Sequence, residues 1–182
     1  MLDMFCNQGG FALACALNGA ASVTAVDVSE HAIDTGRRNA ARSNLDIDWQ
    51  CENAFNYLKS ASSSAEDDGA EGADKHPNMV ILDPPSFARN KRTLNDAVRG
   101  YKEIHLRALK ILRAGGLLVT SSCSHHFGAS QLKEVANAAA VDAKRTLRQV
   151  ATYAQRPDHP VLLGIPETSY LHGFAFEVMP SW

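Results

Sequence analysis

Residues 2–28 read LDMFCNQGGFALACALNGAASVTAVDV, and this segment indicates the class of fold. Its apolar start predicts a short strand over residues 2–5, which is followed by a Gly-Gly turn, a helix over residues 10–18 and a second strand over residues 22–28. Gly19 is placed to end the helix. A strand, a helix and a further strand in this order are typical of a parallel sheet built from βα units.

The same alternation continues to the end of the chain. Ser29 is placed to cap a second helix that runs to about residue 44, and Glu30 lies favourably in its first turn. The other predicted strands are residues 47–51, 79–82, 117–122, 146–153 and 174–179, and the other predicted helices are residues 55–59, 93–112 and 129–143. The sequence therefore predicts one α/β domain.

Length and composition limit the classes of protein to which this chain can belong. Its 182 residues, 45% hydrophobic and 21% charged, suit one globular domain with a sizeable core. No apolar run approaches the roughly 20 residues that cross a bilayer, so we expect no membrane span. The four cysteines lie in four separate segments without CxxC or zinc spacing, so we expect no metal site and a reducing, cytoplasmic location.

Charge is distributed unevenly along the chain, whose net charge is −2. Residues 60–75, SASSSAEDDGAEGADK, hold five acids and one base and show no periodicity, which predicts an acidic, flexible insertion over about residues 60–77. Residues 89–113 hold eight bases and only two acids. This basic segment is either a face for RNA or the solvated surface of a helix.

Ligands of an open parallel sheet bind beyond the carboxyl ends of its strands. The segments that follow the first five predicted strands are residues 6–10, Asp27, Asn53, residues 83–85 and residues 122–124. Gly9 and Gly10 permit a tight turn and a close approach of ligand to backbone, although their spacing is not the GxGxxG of dinucleotide sites. Asp27 follows Gly9 by 18 residues, and a carboxylate there can accept hydrogen bonds from both hydroxyls of a ribose.

Two further segments carry residues that could bind a base or act as a nucleophile. In Asp83-Pro84-Pro85-Ser86-Phe87, two consecutive prolines hold a carboxylate and an aromatic ring in a stiff loop, which suits a site that grips a flat base. Cys123 in SSCS lies between a strand and a helix, where a helix N-terminus or a neighbouring cation favours the reactive thiolate. His125 and His126 are candidates for that neighbour. The other three cysteines are expected to be small core residues.

These motifs together resemble a known family. The chain is similar to the bacterial large-subunit ribosomal RNA cytosine-5 methyltransferases that use S-adenosylmethionine, in the order and spacing of LDMFCNQGGF, VDVS, ILDPPSF, RGYKEIHLRALKILRAGG, SSCS, DHPV and YLHGF. The resemblance covers residues 2–178 and implies a Rossmann-like, mostly parallel seven-stranded sheet with an antiparallel last strand. It also implies an upstream RNA-binding PUA-type domain. Because these 182 residues lack it, we expect the sequence to be a fragment of a longer protein.

The resemblance implies that S-adenosylmethionine binds at the rim of the sheet, which is the edge formed by the carboxyl ends of its parallel strands. The implied cofactor-binding residues are Asp3, Phe5, Gly9, Gly10, Asp27, Asn53 and Asp83. In this arrangement Asp3 and the glycine loop face the methionine end, Asp27 binds the ribose and Asn53 lies beside the adenine amine. Two positions depart from the family pattern, since Asn53 stands where aspartate is usual and His172 where lysine is usual. An amide must present its carbonyl to replace the carboxylate.

The implied reaction gives Cys123 and Asp83 their roles. Carbon 5 of cytosine is a poor nucleophile, and addition of the Cys123 thiolate at carbon 6 makes it an enamine that attacks the sulfonium methyl. Asp83 would stabilise the electron-rich ring. The target base of the ribosomal RNA must leave its stack to enter the pocket, where Pro84, Pro85 and Phe87 would contact it.

Three other functions stay open at this point. A methyltransferase for guanine N7 or an exocyclic amine shares the glycine loop, the ribose acid and DPPxF, but needs no thiol. A nucleotide-binding or assembly module would keep the fold without catalysis, and the intact Asp83 and Cys123 argue against it. An NAD-dependent oxidoreductase would be expected to carry GxGxxG, which this sequence lacks.

Overall fold

A computed structural model describes residues 1–68, 76–87, 94–124 and 127–179. Its strands are β1 (Leu2–Met4), β2 (Thr24–Asp27), β3 (Asp48–Cys51), β4 (Met79–Leu82), β5 (Leu117–Ser122), β6 (Thr146–Ala154) and β7 (His172–Met179). Its helices are α1 (Gly10–Leu17), α2 (Glu30–Arg42), α3 (Ala54–Asp68), α4 (Leu94–Ile111) and α5 (Ala129–Asp142), with a short 3-10 helix at Pro166–Thr168. Within the described residues, no helix has the length and apolar content that a membrane crossing requires.

The seven strands form one sheet in the order β3-β2-β1-β4-β5-β7-β6. Strands β1 to β5 pair in parallel, whereas β7 runs antiparallel to both β5 and β6. This is the predicted α/β architecture with its antiparallel last strand, and the prediction is confirmed. Strand order reverses between β1 and β4, and a crevice for ligands opens at such a point.

Helices cover both faces of the sheet. Consecutive residues of a strand point to opposite faces, and accordingly Ala25 and Val26 of β2 belong to different buried clusters. The Ala25 cluster packs β2 and β3 against α1 and α2, while the Val26 cluster packs the sheet against α3, α4 and α5. The central strands are therefore buried on both sides, which fixes the positions of their carboxyl ends.

Helix α3 is longer than the sequence predicts. The expected end at residue 59 is wrong, because the helix continues to Asp68. Ser62 is only 3% exposed, and its hydroxyl accepts a hydrogen bond of 3.2 Å from Arg107 of α4. His76 donates from Nδ1 to the Ile111 carbonyl at 2.8 Å. Packing against α4 thus orders both flanks of the expected flexible insertion, while residues 69–75 lie outside the described residues.

Candidate cofactor and active site

The carboxyl ends of the central strands meet at one edge of the sheet. In the parallel register Met4 of β1 pairs with Val26 of β2 and with Leu82 of β4, and Leu82 pairs with Thr120 of β5. The segments that follow these residues therefore lie side by side. They contain the glycine loop, Asp27, Asp83 and Cys123.

Left-handed backbone shapes the loop between β1 and α1. The φ angle is +63° at Phe5, +47° at Asn7 and +80° at Gly9. A Cβ at Gly9 would lie 2.3 Å from the Cη2 atom of Trp49, so both conformation and packing require glycine there. An added Cβ at Gly10, by contrast, would meet no described atom within 4 Å. The space beside the first residue of α1 is therefore open to a ligand.

Asp3 is a buried carboxylate at the start of this loop. Its Oδ2 accepts the Ala12 N–H at 2.9 Å, whereas its Oδ1 is buried without a hydrogen-bond partner among the described residues. Burial raises the pKa of Asp3 to about 7, and the nearby charges of Asp83 and Asp27 act in the same direction. Asp3 therefore offers one oxygen for which a cationic donor is a fitting partner.

Asp27 lies half-buried at the end of β2. Its Oδ2 accepts the Asn7 N–H and its Oδ1 accepts the Ser29 N–H, each at 2.9 Å. Each carboxylate oxygen keeps a further acceptor site, because a carboxylate has about four. Asp27 therefore fixes the glycine loop and the start of α2 while it retains the capacity to accept from two hydroxyls.

Asn53 performs a structural task that the sequence analysis missed. Its Oδ1 accepts the Phe55 N–H at 2.9 Å and the Asn56 N–H at 3.4 Å, which makes it the N-cap of α3. The S/T/D/N preference at helix starts was the available signal. With the carbonyl engaged in this way, the Nδ2 amide is the group left to face a ligand.

Asp83 and the two prolines follow β4. The Asp83 Oδ1 accepts a hydrogen bond from the Ser121 hydroxyl of β5, which ties the loop to the neighbouring strand. Pro84 is buried and Pro85 is exposed. The carboxylate is therefore held at the crevice by β4 and β5 together.

The Phe87 ring belongs to an aromatic cluster. Its centroid lies 4.9 Å from that of Tyr101, 5.8 Å from that of Phe55 and 6.3 Å from that of Phe5. An open groove of about 390 Å³ runs beside it, lined by Phe55, Pro85, Ser86, Phe87, Asp96, Ala97 and Gly100. Phe87 is half-buried, so one part of the ring packs in the cluster while another part borders this groove.

Cys123 is a free, half-buried thiol two residues beyond Ser121. Among the other cysteines, Cys6 is buried and Cys15 is half-buried. The expectation that Cys51 is a core residue is wrong: it is exposed, because it ends the edge strand β3. His125 and His126, which are either neighbours that tune the thiol or solvated loop residues, lie outside the described residues.

The basic segment is largely ion-paired where the structure describes it. Arg99 pairs with Asp96, Lys102 with Asp142 at 2.7 Å, and Arg107 with Glu103 at 2.5 Å. These contacts favour the solvated helix surface over an RNA-binding face. In the part of the chain that is described, no group of three His, Cys, Asp or Glu side chains is arranged to hold a metal ion.

Solved structures share this fold. A SAM-dependent methyltransferase from Streptococcus mutans superposes with a TM-score of 0.78 at 22% identity, over 97% of this chain and 44% of that one. A SAM-dependent methyltransferase from Agrobacterium tumefaciens gives a TM-score of 0.67 at 21% identity, over 97% of this chain and 55% of that one. This chain has a methyltransferase fold.

Sequence comparison agrees with the structural likeness. Residues 1–66 match a family model described as a methyltransferase domain. The ribosomal RNA large subunit methyltransferase I of Klebsiella pneumoniae strain 342 is 34% identical, over 98% of this chain and 43% of the relative. The Erwinia tasmaniensis protein of the same name is 35% identical, over 98% and 44%. The chain thus spans less than half the length of these curated relatives.

Proposed function

We propose that this chain is the catalytic domain of an S-adenosylmethionine-dependent methyltransferase that forms 5-methylcytosine in large-subunit ribosomal RNA. The named relatives support the class of RNA, since their printed names specify the large subunit. The choice of cytosine carbon 5 rests on Cys123 and on its position relative to Asp83.

The rim residues fit S-adenosylmethionine. The unpartnered, buried Asp3 Oδ1 suits the ammonium group of the methionine moiety, and the open space at Gly10 suits close approach of that moiety to the backbone. Asp27, one strand further, has acceptor sites left for the two ribose hydroxyls. Asn53 would present Nδ2 rather than its carbonyl to the adenine, so we infer a contact to a ring nitrogen. The bound cofactor supplies an electrophilic methyl group on a sulfonium.

The contact that carries the proposal joins Asp83 to the strand end that bears the thiol. Ser121 donates its hydroxyl hydrogen to Asp83, and Cys123 follows Ser121 by two residues on the same strand end. A carboxylate and a thiol in this arrangement can address two edges of one pyrimidine. Attack by a ring nitrogen or an exocyclic amine would use the carboxylate but would leave the thiol without a task.

In the proposed reaction the Cys123 thiolate forms a bond to carbon 6 of the cytosine. The electron pair of the C5–C6 double bond forms a bond from carbon 5 to the methyl group, and the methyl–sulfur bond breaks with its electron pair left on sulfur, which becomes the thioether of S-adenosylhomocysteine. The Asp83 carboxylate orients the base by accepting a hydrogen bond from the exocyclic amine on the Watson-Crick edge of the cytosine. The carbon 5 proton then passes to solvent, the C5–H electron pair re-forms the C5–C6 double bond, and the C6–S bond breaks to release the Cys123 thiolate.

The test is identification of the methylated base. Large-subunit RNA that lacks the modification is incubated with methyl-labelled S-adenosylmethionine and the enzyme, and the nucleosides are separated after digestion. We expect label in 5-methylcytidine, and none with Cys123→Ala. Label in 7-methylguanosine or in an N-methylated base would instead support the nitrogen-directed alternative.

A further inference from the structure

A buried chain of polar side chains ends at Ser122, the residue before Cys123. It consists of Tyr101 and His105 on α4 and Thr120 and Ser122 on β5, none of them more than 1% exposed. The His105 Nε2 lies 2.9 Å from the Thr120 hydroxyl, and its Nδ1 donates to the Tyr101 carbonyl at 2.6 Å. The Tyr101 hydroxyl donates to the Ser122 Oγ at 3.2 Å.

The Ser122 side chain is bonded to two residues that follow Cys123 in the chain. Its Oγ donates to the Phe127 carbonyl at 3.2 Å and accepts the Ser124 N–H at 3.4 Å. A hydroxyl has one hydrogen and two acceptor sites. The Phe127 carbonyl takes the hydrogen, and the Ser124 N–H and the Tyr101 O–H take both acceptor sites. The side chain therefore has every hydrogen bond that it can make, and Tyr101 is the one partner of the three that comes from another element, α4.

Tyr101 is itself held by its neighbours. Its ring stacks on Phe127 with a centroid distance of 4.3 Å and an interplanar angle of 6°, and it contacts Phe87 on another side. Burial raises the pKa of Tyr101 to about 12 and lowers the pKa of His105 to about 4. Both groups are thus neutral near pH 7, and they act through hydrogen bonds rather than through charge.

We propose that the Tyr101 hydroxyl is a positioning group for the nucleophile: it fixes Ser122, and through Ser122 it fixes the direction of the Cys123 thiol. The inference rests on the proposed function, because the direction of this thiol matters for catalysis only where Cys123 attacks the base. Tyr101 does not touch the reacting atoms in this role.

The first experiment measures the thiol without RNA or cofactor. The chain is alkylated with iodoacetamide at fixed pH, and the rates at Cys123 and at the exposed Cys51 are followed by peptide mass spectrometry. Tyr101→Phe keeps the ring stack and removes only the hydroxyl. We expect its Cys123 rate to change by about threefold to tenfold, the effect of one hydrogen bond, with the Cys51 rate unchanged and the thermal midpoint lowered by a few degrees.

Tyr57→Phe is the matched control, because Tyr57 is a half-buried tyrosine on α3 that takes no part in the Tyr101–Ser122 hydrogen bond. It should leave both rates unchanged. Ser122→Ala should change the Cys123 rate as Tyr101→Phe does, and the double variant should be no further from wild type than Ser122→Ala. If Tyr101→Phe unfolds, the Cys123 rate of Ser122→Ala tests the inference in its place. Unchanged Cys123 rates in the folded variants would overturn the inference.

A second readout connects positioning to catalysis. Covalent capture of Cys123 by 5-fluorocytosine RNA should be about tenfold slower in Tyr101→Phe, while the affinity for S-adenosylhomocysteine stays that of the wild type. Normal capture would contradict the positioning role. If Cys123→Ala still methylates RNA, the proposed function fails, whereas the alkylation result still reports whether Tyr101 orients the thiol.

Discussion

The carboxylate of Asp3 caps helix α1 from outside the helix, since its Oδ2 accepts the Ala12 N–H at 2.9 Å while its Oδ1 is buried without a partner among the described residues. One side chain thus combines a structural bond with an unsatisfied acceptor. The arrangement costs stability in the absence of a ligand, because a buried charge without full compensation is unfavourable. It is favourable when a cation binds.

The first prediction concerns stability and pH. Burial raises the pKa of Asp3 from 3.8 to about 7, so the folded chain binds the proton more tightly than the unfolded chain. The proton on Asp3 thus contributes on the order of 4 kcal/mol to the free energy of unfolding. This contribution is fully present below about pH 4 and is lost as the pH rises through 7. Between pH 5 and pH 8 the free energy of unfolding of the wild type should fall by about 2 to 3 kcal/mol more than that of Asp3→Asn. Equal pH dependence would contradict it.

The second prediction concerns cofactor affinity and pH. Below pH 7 Asp3 must lose its proton before it can accept a hydrogen bond from the ammonium group. The affinity of the wild type for S-adenosylhomocysteine should therefore rise between pH 5.5 and 7.5, by up to about tenfold per pH unit below the pKa. Asp3→Asn should bind more weakly and with little pH dependence. Calorimetry at several pH values gives the affinity of each protein and its pH dependence. A wild-type affinity that does not change with pH would remove Asp3 from the site.

The third prediction separates the two neighbouring glycines. Gly9→Ala places a Cβ at φ +80° and 2.3 Å from Trp49, so it should destabilise the fold by about 2 kcal/mol or more. Gly10→Ala meets no described atom within 4 Å and should leave stability unchanged or slightly raised. It should nevertheless weaken cofactor binding at least severalfold, because the added methyl group enters the space proposed for the ligand. Unchanged affinity in Gly10→Ala would show that this space is unused.

The fourth prediction concerns Asp27. If it accepts from the ribose hydroxyls, Asp27→Ala should weaken S-adenosylhomocysteine binding by about 1.5 to 3 kcal/mol. The same change removes the acceptor of the Asn7 and Ser29 N–H groups, so the thermal midpoint should also fall. Asp34→Ala on the exposed face of α2 is the control and should alter neither value. Calorimetry that gives wild-type affinity for Asp27→Ala would exclude the ribose contact.

The sequence predicts the strands and helices well because apolar periodicity and turn residues are local signals. The rim follows from them, since carboxyl ends of parallel strands share one edge of the sheet whatever the details of packing. This is why Asp27, Asp83 and Cys123 could be selected before the structure was known. Their position after strands decided the selection.

Features that depend on distant contacts could not be predicted in this way. The indole of Trp49 lies close to both Gly9 and Gly36, and no local pattern pairs these three residues. Ser62 sits in a polar, aperiodic stretch that is typical of a loop, yet packing against Arg107 keeps it helical. Tyr101 lies on an ordinary apolar helix face, and only the three-dimensional structure brings its hydroxyl to Ser122.

Covalent capture by RNA that carries 5-fluorocytosine at the target position tests directly whether Cys123 is the nucleophile. After methyl transfer, carbon 5 carries fluorine in place of the hydrogen that is normally removed as a proton. Elimination of the thiolate therefore stalls. We expect an adduct that survives denaturation, requires S-adenosylmethionine and maps to Cys123 by peptide mass spectrometry. Cys51→Ser should form it normally, and Cys123→Ala should form none. Normal methylation of unmodified RNA by Cys123→Ala would contradict the covalent mechanism and favour a nitrogen target.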